Sequence, residues 1–177
     1  MNPLRLVGTT HPGVGDIDVR MMERAIELAR RAALEGEVPI AAVVYRGDEI
    51  LGEAANNRES KADPTGHAEI VAMRIAGKKL GEWRLEGCSM AVTLEPCPMC
   101  AGALVNARLG KLIYGATDPK AGACETLYAI PGDARLNHRV QMHGGVLAPR
   151  CVELLRAFFQ QRRAQQKAMK DERKRSA

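Results

Sequence analysis

His67, Glu69, Cys97 and Cys100 are the residues of this chain whose types and spacing could carry out chemistry together. They lie in two short segments, His67-Ala68-Glu69 and Pro96-Cys97-Pro98-Met99-Cys100. One imidazole and two thiolates are a donor set that suits zinc. Structural zinc sites are closed by four protein ligands, whereas three leave a position open for water. Zinc lowers the pKa of a water held there to about 7. Glu69 follows His67 too closely to serve beside it as a fourth ligand, and its better role is to carry the proton of that water. A lone C-x-x-C would read as half of a structural site, and a lone histidine as a packed core residue. The chain has no second C-x-x-C and no H-x-x-x-H. After the motif, His138 and His143 are better read as buried or loop-capping side chains than as ligands.

These residues need elements to hold them. Asp18 to Glu35 has Met22, Ala25, Ile26, Ala29, Ala32 and Ala33 at helical spacing, with Gly36 as a stop. Pro39 to Tyr45 is an unbroken apolar run, the mark of a buried strand. Arg46-Gly47-Asp48 reads as a turn into a second strand, Glu49 to Ala55, which makes a hairpin. Asn56 to Gly66 reads as a loop. Ala68 to Lys79 reads as a helix, Cys88 to Leu94 as a strand, Pro98 to Ala107 as a helix and Lys111 to Gly115 as a strand. Thr117 to Ala123 is a Gly- and Pro-bearing loop, and Arg139 to His143 a final strand. Cys151, Leu154, Leu155, Phe158 and Phe159 form an apolar stripe expected to face the core from a last helix. Two cysteines three apart on a first helical turn face the same way. A helix N-terminus also favours their thiolate forms. Helices alternating with strands indicate an α/β domain, and the opening hairpin makes its sheet mixed.

The 177 residues suit one compact domain. We read residues 1–17 as an irregular leader, 18–160 as the domain, and 161–177 as a basic helix end or tail. Five cysteines, two of them in the C-x-x-C, point to metal plus free thiols in a reducing compartment. Cys88, Cys124 and Cys151 read as small buried side chains. No stretch approaches the roughly 20 apolar residues of a membrane span, so the expectation is a cytoplasmic protein with no membrane partner. The net charge of +5 fits a polyanionic partner. Arg162, Arg163, Lys167, Lys170, Arg173, Lys174 and Arg175 face only Asp171 and Glu172 in the last segment. Alone, that run reads as a solvated helix end. Only beside a site that acts on nucleic-acid bases would the nucleic-acid reading gain weight.

The pattern H-x-E…P-C-x-x-C is that of the zinc-dependent base deaminases. The surrounding segments narrow it. Met22 to Val44, Asn56 with Asp63 to Glu69, Thr93 to Ala103, Tyr114 to Asp118, Leu136 to Val140 and Leu154 to Phe159 resemble the bacterial tRNA-specific adenosine deaminases over about residues 20–165. The resemblance implies a cytidine-deaminase-like three-layer α/β/α sandwich, one Zn2+ per subunit held by His67, Cys97 and Cys100, and Glu69 as the catalytic residue. It implies hydrolysis of adenosine to inosine at the tRNA wobble position, by a homodimer whose subunits both contact RNA. By matching position, Asn56 should hold the target nucleoside and Asp118 the adjacent nucleotide. Glu95 and Pro96 should shape the pocket wall, and the backbone at Ala68 should read the base edge. Arg162 and Arg163 should meet the anticodon stem. Four positions depart from the pattern: Ala41 for glycine, Asn57 for arginine, Gly66 for alanine and Gln141 for glutamate. The leader and the basic tail fall outside the match.

Two other functions use the same residues. A deaminase of free guanine, cytosine or a nucleoside shares the metal motif but has no need of a basic C-terminal helix. A zinc-stabilised RNA-binding module would need four protein ligands and would leave Glu69 dispensable. With three tyrosines, two phenylalanines and one tryptophan, base-stacking platforms are scarce. RNA recognition must then lean on the pocket and on charge.

Overall fold

The computed structural model describes residues 12–175. The apolar run that begins at Pro39 becomes β1 (Ala41–Arg46). Its alternate residues serve two cores: Ala42 and Val44 point to one, Val43 and Tyr45 to the other. A strand covered on both faces needs no polar alternation, which is why its sequence is apolar throughout. β3 (Ser89–Leu94) and β4 (Lys111–Ala116) follow the same rule. Met90, Val92, Leu112 and Tyr114 join the first core, and Ala91 and Ile113 the second. α3 (Ala68–Leu80) and α4 (Pro98–Asn106) cover the first face. α1 (Asp16–Leu34) and the start of α5 (Ala148–Arg175) cover the second. The result is the expected three-layer α/β/α sandwich around a mixed sheet.

The sheet runs β2-β1-β3-β4-β5, with β2 Glu49–Ala55 and β5 Gln141–His143 at its edges. β1 is antiparallel to β2 and β3, whereas β3, β4 and β5 are parallel. This register decides where chemistry can gather. Ala41 pairs with Ala55, Ala42 with Val92, and Leu94 with Ala116. The start of β1 and the ends of β2, β3 and β4 therefore meet at one edge of the sheet. Segments leaving there, at Asn56, Glu95 and Thr117, are neighbours in space although far apart in sequence. On the second face, Asp18 is fully buried and ties α1 to the sheet. It accepts from Tyr45 Oη at 2.5 Å and pairs with Lys111 Nζ at 2.8 Å. Burial pushes its carboxyl up, but these bonds outweigh burial and leave it below its usual range.

Some expectations shift. α1 begins at Asp16, so the irregular leader stops short of residue 17, and residues 1–11 of it lie outside the described residues. The loop expected over Asn56 to Gly66 contains a short helix, α2 (Arg58–Lys61). The final strand is shorter than Arg139–His143, because the Val140 amide donates instead to the Pro131 carbonyl at 2.9 Å. A 3-10 turn at Ile130–Gly132 gave no periodic signal. The apolar stripe of α5 is not wholly core: only Cys151 and Phe158 are buried among its described residues, and Phe159 is 43% exposed.

Candidate active site

Two helix starts converge at the sheet edge. His67 is the N-cap of α3 and Cys97 the N-cap of α4, while Cys100 lies in the first turn of α4. The approach depends on Gly52 in β2, where a Cβ would overlap the Ala72 carbonyl of α3. A side chain at that point would lift α3, and His67 with it, off the sheet. His67 Nδ1 lies 3.5 Å from Cys97 Sγ and 3.5 Å from Cys100 Sγ. All three ligand atoms fall within 4.8 Å of one another. A tetrahedral zinc with bonds of about 2.3 Å to sulfur and about 2.0 Å to nitrogen sets N and S about 3.5 Å apart. The donor set and its spacing therefore fit that ion. The Cys100 and His67 side chains hold the Cys97 thiol down to about 4, so it is ready as a thiolate.

Glu69 is 3% exposed and lies in the first turn of α3. Burial pushes its carboxyl above the ordinary range. Raised in this way, the carboxyl holds its proton more readily than a free one, which suits a group that must take up and release a proton. His67, Glu69 and Cys97 line a cavity of about 480 Å3 together with Asn56, Glu95 and Asp118. Ala68 and Pro96 are buried beside it rather than on its wall. Arg162 and Arg163 lie on α5 outside it.

The details refine several expected roles. Asn56 Nδ2 donates to Glu37 Oε2 at 2.9 Å, and Glu37 Oε1 accepts the Ser60 amide at 2.7 Å. Glu37 thus fixes the side chain that faces the cavity. It stands in Gly36-Glu37-Val38-Pro39, where the sequence reading gave it no task. Glu95 lines the cavity, yet its carboxylate is turned to the chain itself. It accepts the amides of Asp118 (3.0 Å), Cys124 (3.1 Å), Glu125 (2.8 Å) and Thr126 (3.0 Å), and the Thr126 hydroxyl. Burial raises this carboxyl, but the donors outweigh burial and hold it below its usual range. Ionised Glu95 therefore shapes the loop after β4, and Thr117, Asp118, Pro119 and Lys120 on that loop form one wall. Leu155 and Phe159 of α5 form another part of the wall, which explains why the stripe of α5 is not all core. Nothing local in the sequence separates a core-facing from a cavity-facing apolar residue.

Two of the departures from the family pattern are joined. A Cβ at Gly66 would overlap Asn57 Oδ1, which is buried without a hydrogen-bond partner. With Asn57 turned inward, only glycine fits at 66 without a shift. Away from the site, His138 Nε2 lies 2.7 Å from the Leu109 carbonyl, and Cys88, Cys124 and Cys151 are buried, as their surroundings in the sequence suggest.

The fold and this constellation define a deaminase: the model of the MafB19-like deaminase family matches residues 17–163. The tRNA-specific adenosine deaminase of Bacillus subtilis (strain 168) is 45% identical over 151 residues, 85% of this chain and 94% of that protein. That of Haemophilus influenzae is 42% identical over 156 residues, covering 88% and 90%. A solved structure from work on A-to-I editing by tRNA:A34 deaminases superposes with a TM-score of 0.74 at 38% identity, covering 77% of this chain and 99% of that one. The guanine deaminase of Bacillus subtilis is more distant, with a TM-score of 0.53 at 32% identity and 61% of this chain covered. This chain belongs to the family of tRNA-specific adenosine deaminases.

Proposed function

We propose that this protein hydrolyses adenosine to inosine at the wobble position of a tRNA anticodon, as a zinc-dependent cytoplasmic homodimer. The observation that carries the reading is the clustering of His67, Cys97 and Cys100, with buried Glu69 lining the same cavity as His67 and Cys97, in a chain from this family. His67, Cys97 and Cys100 would hold the ion. When bound, zinc supplies a Lewis acid and an acidified water at the open ligand position. Glu69 would accept one proton from the attacking water and deliver it to the ring nitrogen, then take the proton of the newly added hydroxyl and pass it to the amino group, which leaves as ammonia as the carbonyl forms. Asn56, fixed by Glu37, orients the nucleoside. The wall from Thr117 to Lys120 meets the adjoining nucleotide through Asp118. A single-stranded anticodon base can be splayed into such a cavity at small energetic expense.

The dimer is supported by an apolar groove between α3 and α4, lined by Ile70, Met73, Leu85 and Ala103 beside a 62% exposed Trp83. Sedimentation of wild type and Trp83→Glu checks it: a dimer converted to monomer is the expected result. Among the described residues no helix is long and apolar enough to cross a membrane, in keeping with a cytoplasmic site.

The test of the activity is inosine formation in an anticodon stem-loop with adenosine at the wobble position, with free guanine, cytosine and adenosine as controls. Inosine in the RNA and no ammonia from the free compounds is expected. Ammonia from a free base with no RNA inosine would move the chain to the nucleobase deaminases.

A further inference from the structure

The family match ends at residue 163, but α5 continues to Arg175. From Phe159 to Arg175 the helix is about 24 Å long, and every residue from Gln160 to Arg175 is exposed. It buries no face on its own chain. Gln, Arg, Ala, Lys and Met are good helix formers, so propensity sustains the helix where packing does not. Its charges are not spread evenly around it. Arg156, Arg163, Lys167, Lys170 and Lys174 recur at steps of seven, four, three and four residues. At 100° per residue these five fall within about 60° of one another and extend along about 27 Å of helix. Asp171 lies beside the stripe, and Glu172 lies on the opposite side. The stripe begins at the cavity, since Leu155 and Phe159 of the same helix line its wall. Arg162 is placed differently. It sits 5.7 Å over the Phe158 ring and donates to the Gly36 carbonyl at 3.4 Å, and so fastens the root of the arm.

We propose that residues 160–175 form an RNA-binding arm whose stripe, Arg163, Lys167, Lys170 and Lys174, tracks the phosphate backbone of a duplex leading away from the cavity. The inference rests on the proposed RNA substrate. A single-sided row of cations with an apolar root is complementary to one polyanionic strand. Arginine and lysine on one helix face, with no aromatic residue beyond Phe159, suit phosphates rather than stacked bases. The arm should therefore add affinity without base preference. It should add more for a long stem than for a short one.

The test is binding of the full-length protein to labelled RNA hairpins, read by fluorescence anisotropy across salt concentrations. One hairpin is a short anticodon stem-loop; the other carries a longer stem. Two variants lose the same charge: Lys167→Gln with Lys170→Gln on the stripe, and Arg173→Gln with Arg175→Gln off it. The stripe pair should raise Kd for the long hairpin at least about fivefold and reduce the slope of log K against log salt by about 1–2. The off-stripe pair should change Kd less than about twofold. Equal weakening by both pairs would reduce the stripe to bulk charge and overturn the proposal. Unchanged binding in both, with helicity retained by circular dichroism, would overturn it as well. Failure of the activity itself would appear separately, as hairpins bound in the expected pattern but never converted to inosine.

Discussion

The two helix starts at the cavity and the far end of α5 are opposite solutions to holding charged groups in place. His67, Cys97 and Cys100 sit on helices that pack against the sheet, with α3 drawn onto β2 over Gly52. Glu69, Glu95 and Asn56 are all at most 7% exposed, and Glu95 and Asn56 have hydrogen-bonded partners within the chain. Beyond its root at Arg162 the arm is exposed, and it relies on helix propensity and a regular spacing of cations. Chemistry needs atoms fixed to a fraction of an ångström, so it stands where several elements constrain one side chain. Phosphate recognition tolerates movement, because it depends on charge over a distance.

The comparison can be broken at its rigid end first. Glu69→Gln should lower turnover by about 10²–10⁴-fold while zinc content, read by atomic absorption, stays near one per chain. Near-normal turnover would remove Glu69 from the mechanism. Cys97→Ala should lose stoichiometric metal and lower the melting temperature, since ligation stabilises the folded state. Retained zinc would mean the ligand set is wrong.

Glu95→Gln tests whether the cavity wall is held from behind. An amide group in place of one oxygen faces backbone donors, so a loss of about 1.5–3 kcal/mol in stability is expected. Amides of Asp118 and Cys124 to Thr126 should exchange faster, and KM for the RNA should rise more than kcat falls. Unchanged exchange at those amides would return Glu95 to a direct role at the substrate. Gly66→Ala should destabilise by about 1–3 kcal/mol through crowding. With Asn57→Ala added, much of that loss should return, and a coupling above about 0.5 kcal/mol in the double-mutant cycle marks the pair. Strict additivity would mean the two departures are independent.

At the other end, Lys167→Ala with Lys170→Ala should change unfolding free energy by less than about 0.5 kcal/mol in denaturant titration, as expected at exposed sites. A larger loss would show that the arm packs on something.

Much of this was legible in the residues. The stripe of α1 followed from periodicity, because burial of a face leaves a period in the sequence; the strand Glu49–Ala55 followed from the turn before it, α3 from its composition, and the three-layer sandwich from the family resemblance. The clustering of His67, Cys97 and Cys100 near Glu69 followed from spacing, because local geometry sets which side chains a helix turn can present together. Glu37 was not legible, since its partners Asn56 and Ser60 are 19 and 23 residues away. The place of Phe159 was not legible either, because periodicity marks an apolar face without saying whether core or cavity lies against it.

The sequence by itself determined the α/β class, a His-Cys-Cys donor set with a glutamate beside it, and the basic character of the last helix. These depend on residue type and short-range spacing, which the chain carries in one dimension. Tertiary structure alone decided that Asn56, Glu95 and Asp118 share a cavity with His67, that Glu95 turns its carboxylate away from that cavity, and that the inward Asn57 leaves room only for glycine at 66. Each of those depends on strand register bringing distant segments to one edge of the sheet, and register is a property of packing rather than of any local run of residues.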